Sequence, residues 1–268
     1  MINLYKKYHV AYWCIGSILI VCMVVAMFLL WNTFPAAPFL VFFPTVLLVI
    51  INAIVFTVLT NKKLNNEVLV LFNNCQANKY INELQMLFKG KADKGVNVSI
   101  YNTLLSKGYA VIDDYDSVYE CCQKIKARNY QTEKSRSMIE YYITKNQIEL
   151  AQNEIEKLRK MAEKLKQSKY KEGCEISIKN AEYSIRIRQG NFEGAEEHYL
   201  KMLDTIKPLY PITEASYSYA LGRLFVLKGE PLRAKDYLQK AVDLGGDTKY
   251  CKKAEEELLA LQEDSRNA

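Results

Sequence analysis

Between Lys7 and Lys62 no residue carries a formal charge (His9 taken as neutral), and the first acidic residue is Glu67. The interval holds two apolar runs, VAYWCIGSILIVCMVVAMFLLW from Val10 and PFLVFFPTVLLVIINAIVFTVL from Pro38. Each has about 20 residues, the length a helix needs to cross a hydrocarbon core of about 30 Å. The two tryptophans, Trp13 and Trp31, fall about 27 Å apart on one such helix, suited to the two water interfaces. A cleaved signal peptide has an apolar core of only about 7–15 residues, so cleavage is not expected. Only NTFPAA separates the runs, which makes them an antiparallel hairpin. Lys6 and Lys7 precede it, Lys62 and Lys63 follow it, and the loop has no base. The bias of basic residues towards the inner side then places both termini in the cytoplasm. The runs predict an N-terminal transmembrane hairpin over residues 1–61, spans about 10–31 and 38–59, in the cell membrane. No acid, base or histidine lies at depth, so the segment reads as an anchor rather than a conduction path.

Residues 62–268 hold 34 of the 36 Lys+Arg and all 30 Asp+Glu, a net charge of +4 within the chain's +6. That excess is too small to argue for nucleic acid. Apolar residues recur at three and four with charges between them, and strand-like alternation is absent. The fold class predicted is all-α throughout.

The clearest unit is ASYSYALGRLFVLKGEPLRAKDYLQKAVDLGGD from Ala215, with Leu221, Gly222, Phe225, Gly229, Ala234, Leu238 and Ala241 in register. Small residues at Gly222 and Ala234 let two helices approach, Phe225 and Leu238 fill the space beside them, and Gly229 permits the turn. This stretch resembles the tetratricopeptide-repeat family. A second unit carries Gly190, Phe192, Ala195, Tyr199 and Met202, although Arg186 stands where a large apolar residue is expected. A third holds Tyr142, Asn146, Ile148, Ala151, Ile155 and Leu158. Two weaker ones surround 109–125 and 71–87, with Val118 and Glu83 in place of the small residue. Turns near 78, 113, 146, 190 and 229 predict five units closed by a capping helix over 248–262, with a frayed tail. The resemblance implies a TPR-like α-solenoid over 62–268, which follows the transmembrane hairpin read from the apolar runs. The competing reading is an irregular helical bundle.

Material for catalysis is thin. The chain has two histidines, His9 and His198, and the latter reads as a surface residue among Glu196, Glu197 and Tyr199. Seven cysteines form no C-x-x-C pair, and no phosphate-binding glycine motif occurs. No enzyme, cofactor or metal is expected. The lysine-rich tract 157–171 is interleaved with Glu163 and reads as a solvated face, with attraction to anionic headgroups or to an acidic partner as the functional alternative.

Arrays of the family bind peptide or protein segments along the face built by the first helix of each pair. In the last unit that face comprises Ser216, Tyr219, Arg223, Val226 and Leu227. The positions of the family's Lys/Asn/Arg carboxylate clamp carry Asn180, Ser184 and Ala220 here, so that clamp is not expected. The function predicted is a membrane-anchored cytoplasmic scaffold or adaptor that captures a protein partner. The alternative is an accessory subunit of a membrane transport, secretion or envelope-assembly complex.

Overall fold

A computed structural model describes residues 14–18, 21–22, 25, 28, 46–47, 50–51, 68–89, 96–205 and 210–267. The chain divides into two compact units, Met1–Leu69 and Val70–Ala268. All regular structure among the described residues is helical.

The transmembrane hairpin is corrected. Among the described residues no helix is long and apolar enough to cross a membrane. The remainder of both proposed spans lies outside the described residues. The cell-membrane location with cytoplasmic termini rested on those spans and is withdrawn with them, as is the bilayer contact.

In the second unit a helical segment over 70–73 leads into α1 (Ala77–Leu87), followed by α2 (Val96–Val111), α3 (Tyr115–Lys124) and α4 (Gln131–Thr144). There follow α5 (Ile148–Glu163), α6 (Ser168–Arg188), α7 (Ala195–Thr205), α8 (Pro211–Leu227), α9 (Pro231–Gly245) and α10 (Lys249–Asn267). Pro211 and Pro231 open α8 and α9, where the missing N–H has no intrahelical partner to lose. The predicted frayed tail is instead helical as far as Asn267.

Five turns share one construction. Cys75, Asp113, Asn146, Gly190 and Gly229 all have φ between +57° and +79°. In each, the following N–H bonds a carbonyl five residues back: Gln76 to Leu71, Asp114 to Tyr109, Gln147 to Tyr142, Asn191 to Arg186 and Glu230 to Phe225. This left-handed stop satisfies carbonyls that the ending helix leaves open. Counting on from each turn, the fifth residue is Tyr80, Val118, Ala151, Ala195 or Ala234, each fully buried. The ninth is Leu84, Cys122, Ile155, Tyr199 or Leu238, also buried. One turn register therefore places the core residues of the five alternate helices α1, α3, α5, α7 and α9.

The stretch 71–87 corrects the sequence reading by three positions: its turn is at Cys75, not near 78, so Tyr80 rather than Glu83 faces inward. Tyr80 fits because Gly108 stands opposite; a Cβ there would lie 2.7 Å from Ile81 and 3.1 Å from the Tyr80 ring. Its hydroxyl donates to the Leu104 carbonyl at 3.0 Å.

Neighbouring helices pack pair by pair, yet the last elements of this unit also return to its first. Ile212 and Ala215 of α8 share a buried cluster with Cys75, Ala77 and Val111. The Asp247 N–H donates to the Cys75 carbonyl at 3.1 Å. The Asp247 carboxylate accepts from the Ala77 and Asn78 N–H groups at 2.5 and 2.9 Å. It thus caps α1 from across the sequence, where a negative charge is favoured.

Candidate partner-binding face

The five residues predicted for partner contact, Ser216, Tyr219, Arg223, Val226 and Leu227, recur at three and four and so form one stripe of α8. The opposite stripe, including Leu221, Leu224 and Phe225, is buried. Gly222 gives α9 its close approach: a Cβ there would sit 2.6 Å from Leu238 Cγ and 3.1 Å from the Leu238 backbone nitrogen.

The stripe is not uniformly available. Arg223 and Leu227 are exposed, while Ser216, Tyr219 and Val226 are half-buried. Ser216 donates its hydroxyl to the Thr213 carbonyl at 2.9 Å, and Val226 packs on the core of the last two helix pairs. Tyr219 donates to Glu257 Oε1 of α10 at 3.3 Å, and Arg223 Nε lies 3.9 Å from the same oxygen. α10 therefore covers part of this face. Burial, then the Glu257 charge, push the Tyr219 phenol up to about 12. Burial also raises the Glu257 carboxyl, with Arg223 and the Tyr219 hydroxyl opposing it. Arg188, at the end of α6, has its pKa lowered by burial and then by Arg223, and it forms no ion pair among the described residues.

Beside this face lies a polar knot not anticipated from the sequence. Tyr115 donates to Glu140 Oε1 at 2.8 Å, while Lys249 donates to that oxygen at 2.5 Å and to the Tyr115 hydroxyl at 2.6 Å. Lys253 pairs with Asp113 at 2.8 Å. Together these tie the start of α10 to α3, α4 and the turn before α3. A signal for this was present in the basic start and acidic middle of KYCKKAEEELLALQ, though nothing in it names the partners.

His198 is buried, which corrects its reading as a surface histidine. Its ring stacks on Tyr183 with centroids 4.6 Å apart. Its Nε2 lies 2.7 Å from Asn180 Oδ1, and Asn180 Nδ2 donates to the Tyr217 hydroxyl at 3.0 Å. Burial, then Lys179 and Lys201, lower its pKa and favour the neutral ring. The network borders a cleft of about 700 Å³ between α5, α6 and α7.

Cys75, Cys121 and Cys122 are buried, and desolvation pushes their thiols up to about 11, 12 and 11, away from the nucleophilic thiolate. Among the described residues, no group of three His, Cys, Asp or Glu is placed to hold a metal ion. The lysine tract is interleaved with acids as expected: Lys157 pairs with Glu154, and Arg159 with Glu156 and Glu182.

Compared with known proteins, the chain matches no family model, no curated protein and no solved structure.

Proposed function

We propose that residues 70–267 form a degenerate tetratricopeptide-like helical repeat that binds a segment of a protein partner, acting as a scaffold or adaptor. The observation that carries this reading is the fivefold recurrence of the left-handed turn with its fifth and ninth residues buried. An array built this way spends its apolar residues on stacking neighbours and leaves the outer stripe of each first helix for other contacts. On α8 that stripe offers a phenol and a guanidinium, residue types that dominate binding energy at protein interfaces, beside two aliphatic side chains. The reading asks nothing of a membrane: whatever segment is bound is held by the face of α8 and its neighbours.

Selection of displayed random peptides on the immobilised full chain tests it. Segments enriched on the wild type should lose about tenfold or more in affinity on Tyr219→Ala/Arg223→Ala, the loss typical of removing interface anchors. Enriched segments that bind the double variant equally well would place the binding face elsewhere.

A further inference from the structure

The α8 face is already occupied, and poorly. Glu257 reaches it from α10, but its contacts are long: 3.3 Å to the Tyr219 hydroxyl and 3.9 Å to the Arg223 Nε. Its other oxygen, Oε2, is buried with no hydrogen-bond partner among the described residues. A buried carboxylate oxygen left unsatisfied costs free energy that a better arrangement would recover. The positive side is in surplus at the same place. Arg223 meets this single carboxylate at the edge of ion-pair distance, and Arg188, close enough to feel the Arg223 charge, has no ion pair among the described residues. Two guanidiniums, from α6 and α8, thus lie near each other and near the Tyr219 hydroxyl, and only Arg223 reaches the ill-held acid. Guanidinium groups bind carboxylates through paired N–H donors, a geometry neither arginine achieves with Glu257.

We propose that the partner segment is acidic, and that its carboxylates bind Arg223 and Arg188 in the place Glu257 now holds. Resting on the segment-binding reading above, this gives the bound segment its chemistry and makes Glu257 an internal competitor. The competition is local: Lys249, Lys253 and Asp247 hold the start of α10 through contacts that do not involve this face. Displacement of Glu257 therefore needs only its side chain to leave the face, while Ala254 and Leu258 keep that stretch of α10 in the core.

Fluorescence anisotropy of labelled oligoglutamate, oligoglutamine and oligolysine peptides with the full chain tests the assignment. Oligoglutamate should bind in preference to the other two and weaken as salt rises. Arg188→Gln/Arg223→Gln should weaken it by about tenfold or more, and Glu257→Gln should tighten it by about threefold or more, by removing the competitor. Lys157→Gln/Lys160→Gln on α5, which removes the same charge elsewhere, should leave affinity within about twofold, as for exposed charges remote from the site. Matching helical circular dichroism and melting would show that each variant folds. Arg188→Lys/Arg223→Lys, which keeps the charge and loses the fork, supplies a second variant and should give an intermediate loss.

Equal losses in the two Gln pairs would overturn the proposal in favour of diffuse attraction to a chain of net charge +6. Unchanged or weaker binding by Glu257→Gln would overturn it too. If uncharged segments bind in a Tyr219-dependent way and ignore Arg188→Gln, the acidic assignment falls and segment binding stands. If no segment depends on Tyr219, both fall.

Discussion

Lys249 Nζ meets Glu140 Oε1 at 2.5 Å across 109 residues of chain, with the Tyr115 hydroxyl bonded to both. This contact ties the last helix of the unit to one near its middle, and its electrostatics set a pH window. Burial alone would raise the Glu140 carboxyl, but Lys249 and Tyr115 outweigh it and hold the group below its ordinary 4.5. Burial likewise opposes the Lys249 charge, and Glu140 outweighs it, leaving the amine well above its ordinary 10.5. A lowered acid contributes stability above its unfolded pKa and loses it as pH falls through the folded value. A raised amine contributes below its unfolded pKa and loses it as pH rises. The pair therefore stabilises fully between 4.5 and 10.5. The Glu140 side chain is 45% exposed, so screening keeps the cost of Glu140→Gln to about 1–2 kcal/mol at neutral pH. Urea unfolding at pH 7 and below pH 4 should show that cost shrinking in acid; a cost independent of pH would remove the ion pair from the account.

His198 predicts a second pH dependence. Its folded pKa is lowered, first by burial and then by Lys179 and Lys201, while the unfolded chain titrates near 6.5. The unfolded state therefore takes up protons first, and stability falls as pH drops below 6.5. His198→Gln should abolish that slope between pH 7 and 5 in thermal melts. An undiminished slope in the variant would assign it to other groups.

Two glycines separate crowding from backbone conformation. Gly222→Ala drives a Cβ into Leu238, with side-chain and backbone atoms all within 3.1 Å, and should cost about 2–3 kcal/mol. Gly229→Ala meets nothing within 4 Å, but its φ of +73° disfavours a Cβ by about 1–2 kcal/mol. Leu238→Ala should therefore be less than additive with Gly222→Ala and additive with Gly229→Ala. Urea midpoints distinguish these outcomes.

Tyr80 is the large residue in a position where three other pairs have alanine. Tyr80→Phe removes only its hydrogen bond to the Leu104 carbonyl, at about 1 kcal/mol. Tyr80→Ala empties the space opposite Gly108 and should cost about 3–5 kcal/mol. Near-equal effects in denaturant titrations would mean that the ring is not packed as described.

The helical period was legible in α1, α3, α5 and α9, where core and surface residues recur at three and four. Four turns were legible as well, two through Gly190 and Gly229 and two through the alignment that pointed to Asp113 and Asn146. The first turn was misplaced by three residues because Cys75, neither glycine nor asparagine, takes the left-handed conformation there. Tyr80 compounded the error: the space it needs comes from Gly108 on another helix, which no local pattern reveals. The burial of His198 was hidden by its acidic neighbours, since the stack that encloses it comes from Tyr183 of α6. The return of Asp247 and Lys249 to Ala77 and Glu140 joins residues 170 and 109 positions apart, a proximity that no local pattern states. For the α8 face, spacing located the stripe. That Glu257 shares it depends on how α10 lies, which the spacing does not state.

Hydrogen–deuterium exchange on the full chain, with and without a segment selected for Tyr219-dependent binding, tests the central claim most directly. The account predicts slower exchange in α8 and at the end of α6, together with faster exchange around Glu257 in α10 as its contacts to Tyr219 and Arg223 are replaced. Protection confined to α5, α7 and α9, with α8 and α10 unchanged, would contradict it.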